Sequence, residues 1–148
     1  MSRLLQAFAL EAPLRARLDA GLPTLTTCAG LILLSAAIVD GRPDQLALAA
    51  LDITVRRNGF GSQVQSFEAD LTLPALGDIP FRGVFIRAPR IERTGDGVDV
   101  LARLDGEPVA VRHGAHLGLT FHPEMTGDDR IHRLFLEHVA GARAVSAA

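Results

Sequence analysis

A single cysteine, and the residues on either side of it, constrain the fold of this 148-residue chain more than any other segment. Cys28 sits in Thr27-Cys28-Ala29-Gly30, between a short apolar stretch from Leu22 to Leu25 and a longer one from Leu31 to Val39. The first has the length of a strand, the second that of a helix, and the small residues between them permit a tight turn. The spacing predicts a short buried strand over 23–27, a sharp bend carrying the thiol, and a buried helix over 29–39. A side chain on such a bend stands clear of the sheet with the first amides of the helix beside it.

The rest of the chain extends this pattern. Leu4, Leu5 and Phe8 fall at helical spacing. Pro13 interrupts or restarts that helix, which runs to about residue 20 before Gly21 stops it. Alternation with β-branched residues predicts a strand over 51–57, and residues 64–73 form a further candidate. Asn58-Gly59-Phe60-Gly61 between them reads as a loop. Residues 81–88 read as a strand closed by Arg87 and Pro89. Strands over 98–104 and 108–112 flank Asp105-Gly106, a strong hairpin signal. A last strand over 116–121 leads into Phe121-His122-Pro123-Glu124. Residues 129–140 are amphipathic, with Ile131, Leu134, Phe135 and Val139 on one side and Asp128 or Asp129 as N-cap. Alternating strands and helices, a β-rich stretch and a closing helix predict one α/β domain over 1–148, its sheet partly parallel with an antiparallel insertion.

Composition removes several classes of function. Lys+Arg total 15 against 17 Asp+Glu, every basic residue is Arg, and no basic run tracks one face, so nucleic acid is not expected as a partner. The longest nearly unbroken apolar run, Cys28 to Val39, is 12 residues. A membrane-spanning helix needs about 20. The run is also internal and lacks a basic flank, unlike a signal peptide. One cysteine excludes an internal disulfide, which fits a reducing, cytoplasmic setting.

Three groups point to chemistry. Cys28 is a candidate nucleophile, with the Ala29 amide as a candidate oxyanion donor. A free thiol titrates near about 8.5; the adjoining helix start and a nearby histidine are two devices expected to lower that value. The same local pattern also suits a small buried apolar residue. His122 and Glu124 are one residue apart, and Pro123 keeps the segment from being helical, so both side chains can face one way. The carboxylate would then hold the imidazole in the tautomer of a base, although a plain surface turn fits as well. Arg57 and Arg87 close strands beside loops, where arginine can grip a carboxylate bidentately. His113 and His116 lack further ligand residues nearby, so no metal is expected.

Taken in order, Thr27-Cys-Ala-Gly-Leu-Ile-Leu-Leu34, Asp52-Ile-Thr-Val-Arg-Arg-Asn-Gly-Phe-Gly61, Ser66-Phe-Glu-Ala69, Val84-Phe-Ile-Arg-Ala-Pro89 and Phe121-His-Pro-Glu124 resemble the glutaminase subunit of pyridoxal 5′-phosphate synthase. That family belongs to the class I, or triad, glutamine amidotransferases. The resemblance covers nearly the whole chain. It implies a flavodoxin-like, three-layer α/β domain in which Cys28 attacks the side-chain amide of L-glutamine. His122 would act as base and then acid, oriented by Glu124, with Ala29 in the oxyanion site and Arg57, Ile86 and Arg87 contacting glutamine. Ammonia would pass to a separate (β/α)₈ synthase subunit that makes pyridoxal phosphate. No metal or organic cofactor is implied for this step.

The family also begins with a segment that has no counterpart here, of about fifty residues, room for one strand, one helix and a Gly-Gly-Glu-Ser-Thr loop. That loop carries the second oxyanion amide. The resemblance thus implies an N-terminally truncated chain, through a true deletion or a start assigned too late. Two rivals stay open: an inactive remnant serving as a structural partner of the synthase, and a different cysteine hydrolase on a similar fold. Thr26 stands where the family usually has glycine, and Ala115-His116 where it has Gln-Phe.

Overall fold

The thiol-bearing bend hangs on a mixed sheet. In a computed structural model, which describes residues 1–57 and 66–141, strand β1 (Thr24–Thr27) runs parallel to β9 (His116–Leu119), pairing Thr24 with His116 and Thr27 with Leu119. Strand β9 continues antiparallel to β8 (Glu107–His113), and β8 to β7 (Val98–Leu104). The turn between β7 and β8 is Asp105-Gly106, with φ 50° and 84°, the doubly positive pair that a two-residue hairpin needs. Within this sheet the order is β1-β9-β8-β7, so β1 is an edge strand among the described residues.

A second sheet joins β2 (Ser35–Ile38), β3 (Leu51–Arg56) and β6 (Arg90–Thr94), parallel across the first pair and antiparallel across the second. Leu51, Ile53 and Val55 of β3 are fully buried while their neighbours are not, the period of two anticipated for this strand. A two-stranded ribbon pairs β4 (Ser66–Leu71) with β5 (Phe81–Ile86). Helices α1 (Ser2–Ala7) and α2 (Glu11–Asp19) precede β1, and α3 (Ala29–Leu34) follows it. Near the C-terminus α4 (Arg130–Leu134) runs on into a wider π turn over Phe135–Ala140.

One expectation needs correction, one strand was not anticipated, and the N-cap of the closing helix falls on one of its two candidates. The helix over 29–39 ends at Leu34 and the chain becomes strand β2. Ser35 turns extended (φ −64°, ψ 157°) and its hydroxyl donates to the Ile32 carbonyl at 2.8 Å, capping the helix. The residues beyond it, ending in Ile38-Val39, then gain a parallel partner in β3, where β-branched side chains pack well. Strand β6 lacks the alternation that would announce it, since only Ile91 is buried in it. Asp129 occupies the N-cap of α4 without a side-chain bond there; Asp128 accepts the Arg130 amide at 3.0 Å instead. The Asn58–Gly61 loop and the first residues of the 64–73 strand lie outside the described residues.

Two apolar clusters hold the layers together. One gathers Phe81, Phe85, Phe121, Leu117, Leu119 and Ile131; the other gathers Leu31, Leu34, Leu51, Ile53 and Val55. Phe121 is fully buried and its ring lies 5.5 Å from that of Phe85, which fixes the backbone one residue before His122.

Candidate active site

Strand β1 and helix α3 meet at Cys28, whose backbone adopts φ 46° and ψ −104°. A non-glycine residue is strained there, at a cost of about 1–3 kcal/mol that the surroundings must offset. Two backbone bonds hold it: the Cys28 N–H donates to the Leu119 carbonyl at 3.0 Å, and the Cys28 carbonyl accepts the Ile32 N–H at 3.2 Å. The first continues the β1–β9 ladder by one rung, placing Cys28 next to the chain that leads to His122.

On that chain Phe121 is buried and the His122 N–H donates to the Val84 carbonyl at 2.8 Å. Contrary to the non-helical segment expected here, Pro123 starts a single 3₁₀ turn over Pro123–Met125, its fixed φ suiting the first position, and this turn brings Glu124 round. Imidazole Nδ1 and the Glu124 Oε1 lie 2.6 Å apart. The histidine side chain is 20% exposed and the carboxylate 49%. A carboxylate on Nδ1 leaves Nε2 as the atom free to take a proton.

Cys28 and His122 line one cavity of about 470 Å³, walled by residues 24–30 and by Leu14, Leu18 and Leu34. The thiol is half-buried and donates to the Ile86 carbonyl at 3.8 Å. Burial pushes the Cys28 thiol above its ordinary range. Hydrogen bonding from the Ala29 amide and the Arg87 charge pull it back, while the Glu124 carboxylate adds to the rise. The lowering expected from the helix start and a nearby histidine is not found: the Ala29 amide and the Arg87 charge lower the value, and burial outweighs them. A thiol held so rests protonated, and any attack by Cys28 would need a base to remove its proton.

The sequence matches the SNO glutamine amidotransferase family over residues 1–141. The chain belongs to this family. Pyridoxal 5′-phosphate synthase subunit PdxT of Frankia alni is 55% identical over 139 residues, 94% of this chain and 70% of that protein. The subunit of the same name from Mycobacteroides abscessus is 56% identical over 139 residues, 94% of this chain and 72% of the relative. A crystal structure of a glutamine amidotransferase superimposes with a TM-score of 0.85 at 49% identity, covering 95% of this chain and 72% of that one. The fold is thus the flavodoxin-like amidotransferase fold expected from the motifs.

Within this amidotransferase frame the remaining candidates separate. Ile86 and Arg87 stand beside the thiol, the first through its carbonyl and the second through its charge, at a backbone φ of 44° for Arg87. Arg57 lies apart from them. Its N–H donates to Asp40 at 2.7 Å, and it lines a neighbouring hollow of about 250 Å³ that shares Ala29 and Met1 with the thiol cavity. Val84 and Leu119 hold the backbones of His122 and Cys28 through main-chain carbonyls, so no side-chain signal could have singled them out. Thr26 also lines the cavity, 6% exposed, its hydroxyl without a partner. Among the described residues no cluster of His, Cys, Asp and Glu is arranged to hold a metal, and no helix is long and apolar enough to cross a membrane.

Proposed function

We propose that Cys28, His122 and Glu124 form the triad of a glutaminase that supplies ammonia to a pyridoxal 5′-phosphate synthase. The observation that carries the assignment of roles is the 2.6 Å contact between His122 Nδ1 and Glu124 Oε1 on the wall of the cavity that also contains the thiol. As Sγ attacks the side-chain carbonyl carbon of L-glutamine, Nε2 of His122 takes the thiol proton and Glu124 stabilises the imidazolium formed. The oxyanion builds beside the Ala29 amide, which hydrogen-bonds the Cys28 sulfur. Collapse breaks the C–N bond, His122 returns its proton to the leaving nitrogen, and ammonia departs. Water, deprotonated by His122, then cleaves the γ-glutamyl thioester to glutamate and the free thiol.

Arg87 and the Ile86 carbonyl border the thiol on one side and are assigned to the substrate; Arg57, in the adjoining hollow, is assigned to its charged end. The relatives are named as subunits of pyridoxal 5′-phosphate synthase, so the partner proposed here is the (β/α)₈ synthase subunit. An unpaired thiol fits a cytoplasmic setting. The experiment is glutamate release from glutamine by the protein alone and with a synthase subunit, for wild type and Cys28→Ala. Turnover that needs Cys28 supports the triad. Turnover absent in both settings, with a stable complex still formed, favours the structural-partner alternative.

A further inference from the structure

The aim of the reacting sulfur depends on how α3 sits on the sheet, and two residues beneath its first turn share a rung. Thr26 of β1 pairs directly with Gly118 of β9. Above Thr26 the helix presents Gly30, where a Cβ would stand 3.3 Å from the threonine Cβ. Above Gly118 the helix presents Leu31, whose Cδ1 reaches within 2.6 Å of where a Cβ on Gly118 would stand. The seat is therefore keyed: large strand residue under small helix residue on β1, small under large on β9. Exchanging either side would tilt or rotate a helix of only six residues.

We infer that the Thr26–Gly30 and Gly118–Leu31 contacts are the positioning device for the nucleophile, setting the angle at which α3 presents the Ala29 amide and Cys28 to His122. This rests on the reading of Cys28 as nucleophile and adds two positioning residues, Thr26 and Gly118, that act through the seat of α3. The part of Thr26 that matters is its branched shape, because its hydroxyl has no partner. Interiors transmit such strain because they are close-packed, and a threonine Cβ cannot yield like the end of a long side chain.

The test reads thiol geometry without substrate: the rate of Cys28 alkylation by iodoacetamide against pH, with thermal melting of each variant. Gly30→Ala should slow alkylation at neutral pH about tenfold and move its pH midpoint upward, since a lifted turn takes the Ala29 amide from the sulfur. Adding Thr26→Gly should restore the rate to within about threefold by freeing the space. Thr26→Val keeps the shape and should match wild type, whereas Thr26→Leu should slow alkylation as Gly30→Ala does; this pair decides the matter if Gly30→Ala does not fold. A Gly30→Ala rate equal to wild type overturns the inference. So does a slow rate that Thr26→Gly leaves slow in folded protein, or a Thr26→Val variant as slow as Thr26→Leu. Loss of the triad assignment would show separately, as glutamine turnover surviving Cys28→Ala.

Discussion

The carbonyl of Val84 accepts the main-chain N–H of His122 at 2.8 Å, and two residues along the same strand the carbonyl of Ile86 faces the Cys28 thiol at 3.8 Å. Positions i and i+2 of a strand share a direction. One edge of β5 therefore holds both halves of the proposed reacting pair, while its other edge pairs with β4. Phe85, between those two carbonyls, is fully buried, stacked on Phe67 at 4.7 Å and tilted against Phe121 at 5.5 Å. Phe85→Ala should cost about 3–5 kcal/mol in denaturant unfolding. It should also lower kcat in whatever fraction stays folded, because the strut behind both groups has lost its anchor.

In the proposed triad Glu124 acts only through His122. Its side chain is 49% exposed and bonds Nδ1 at 2.6 Å. Glu124→Gln should leave melting nearly unchanged and KM for glutamine unaltered. It should lower kcat about a hundredfold, at the low end for general acid–base groups because solvent can partly replace an exposed partner. Steady-state kinetics check this; a loss confined to KM would place Glu124 in binding instead.

Cys28 also ties stability to pH. Its folded-state pKa is raised by burial, so the folded protein holds the thiol proton more tightly than the unfolded chain does. The stabilising contribution is complete below the unfolded thiol value and is lost as pH climbs through the higher folded one. Wild type should therefore lose melting temperature relative to Cys28→Ala as pH rises above about 8.5, the ordinary thiol value. Parallel melts from pH 7 to 10 decide it. A gap between the two proteins that widens in favour of wild type at high pH would show that the sulfur rests as a thiolate.

How much of this was legible in the sequence depends on what carried each contact. The bend at Cys28 was readable because strand, small residues and helix follow in order; the His122–Glu124 pair was read on the wrong geometry, since Pro123 opens a 3₁₀ turn rather than keeping the segment from being helical. Helix α3 was overextended because Leu31 to Val39 is apolar apart from Ser35, and such a run carries no period to separate helix from strand. Its end is set by the Ser35 hydroxyl and by pairing with β3, the second of which is not local. The carbonyls of Val84, Ile86 and Leu119 were invisible because every residue has one. The keyed rung at Thr26 and Gly118 depends on a register between residues far apart in the chain.

Arg130 offers a test of how the closing helix bears on β5. Its guanidinium donates to the carbonyls of Ile79 at 2.7 Å and Pro80 at 2.9 Å, just before β5 begins. It pairs with Asp128 at 2.6 Å and lies over the Phe81 ring, 5.8 Å from its centroid. The neighbouring guanidinium holds the Asp128 carboxyl below its usual range. Lysine cannot reproduce this planar fork. Arg130→Lys should therefore speed amide hydrogen exchange at the start of β5 and lower the melting temperature almost as much as Arg130→Met. Asp128→Asn should do less, since the two carbonyl contacts survive it. Equal melting temperatures for Arg130→Lys and wild type would mean that charge alone, rather than the fork, secures the entry to β5.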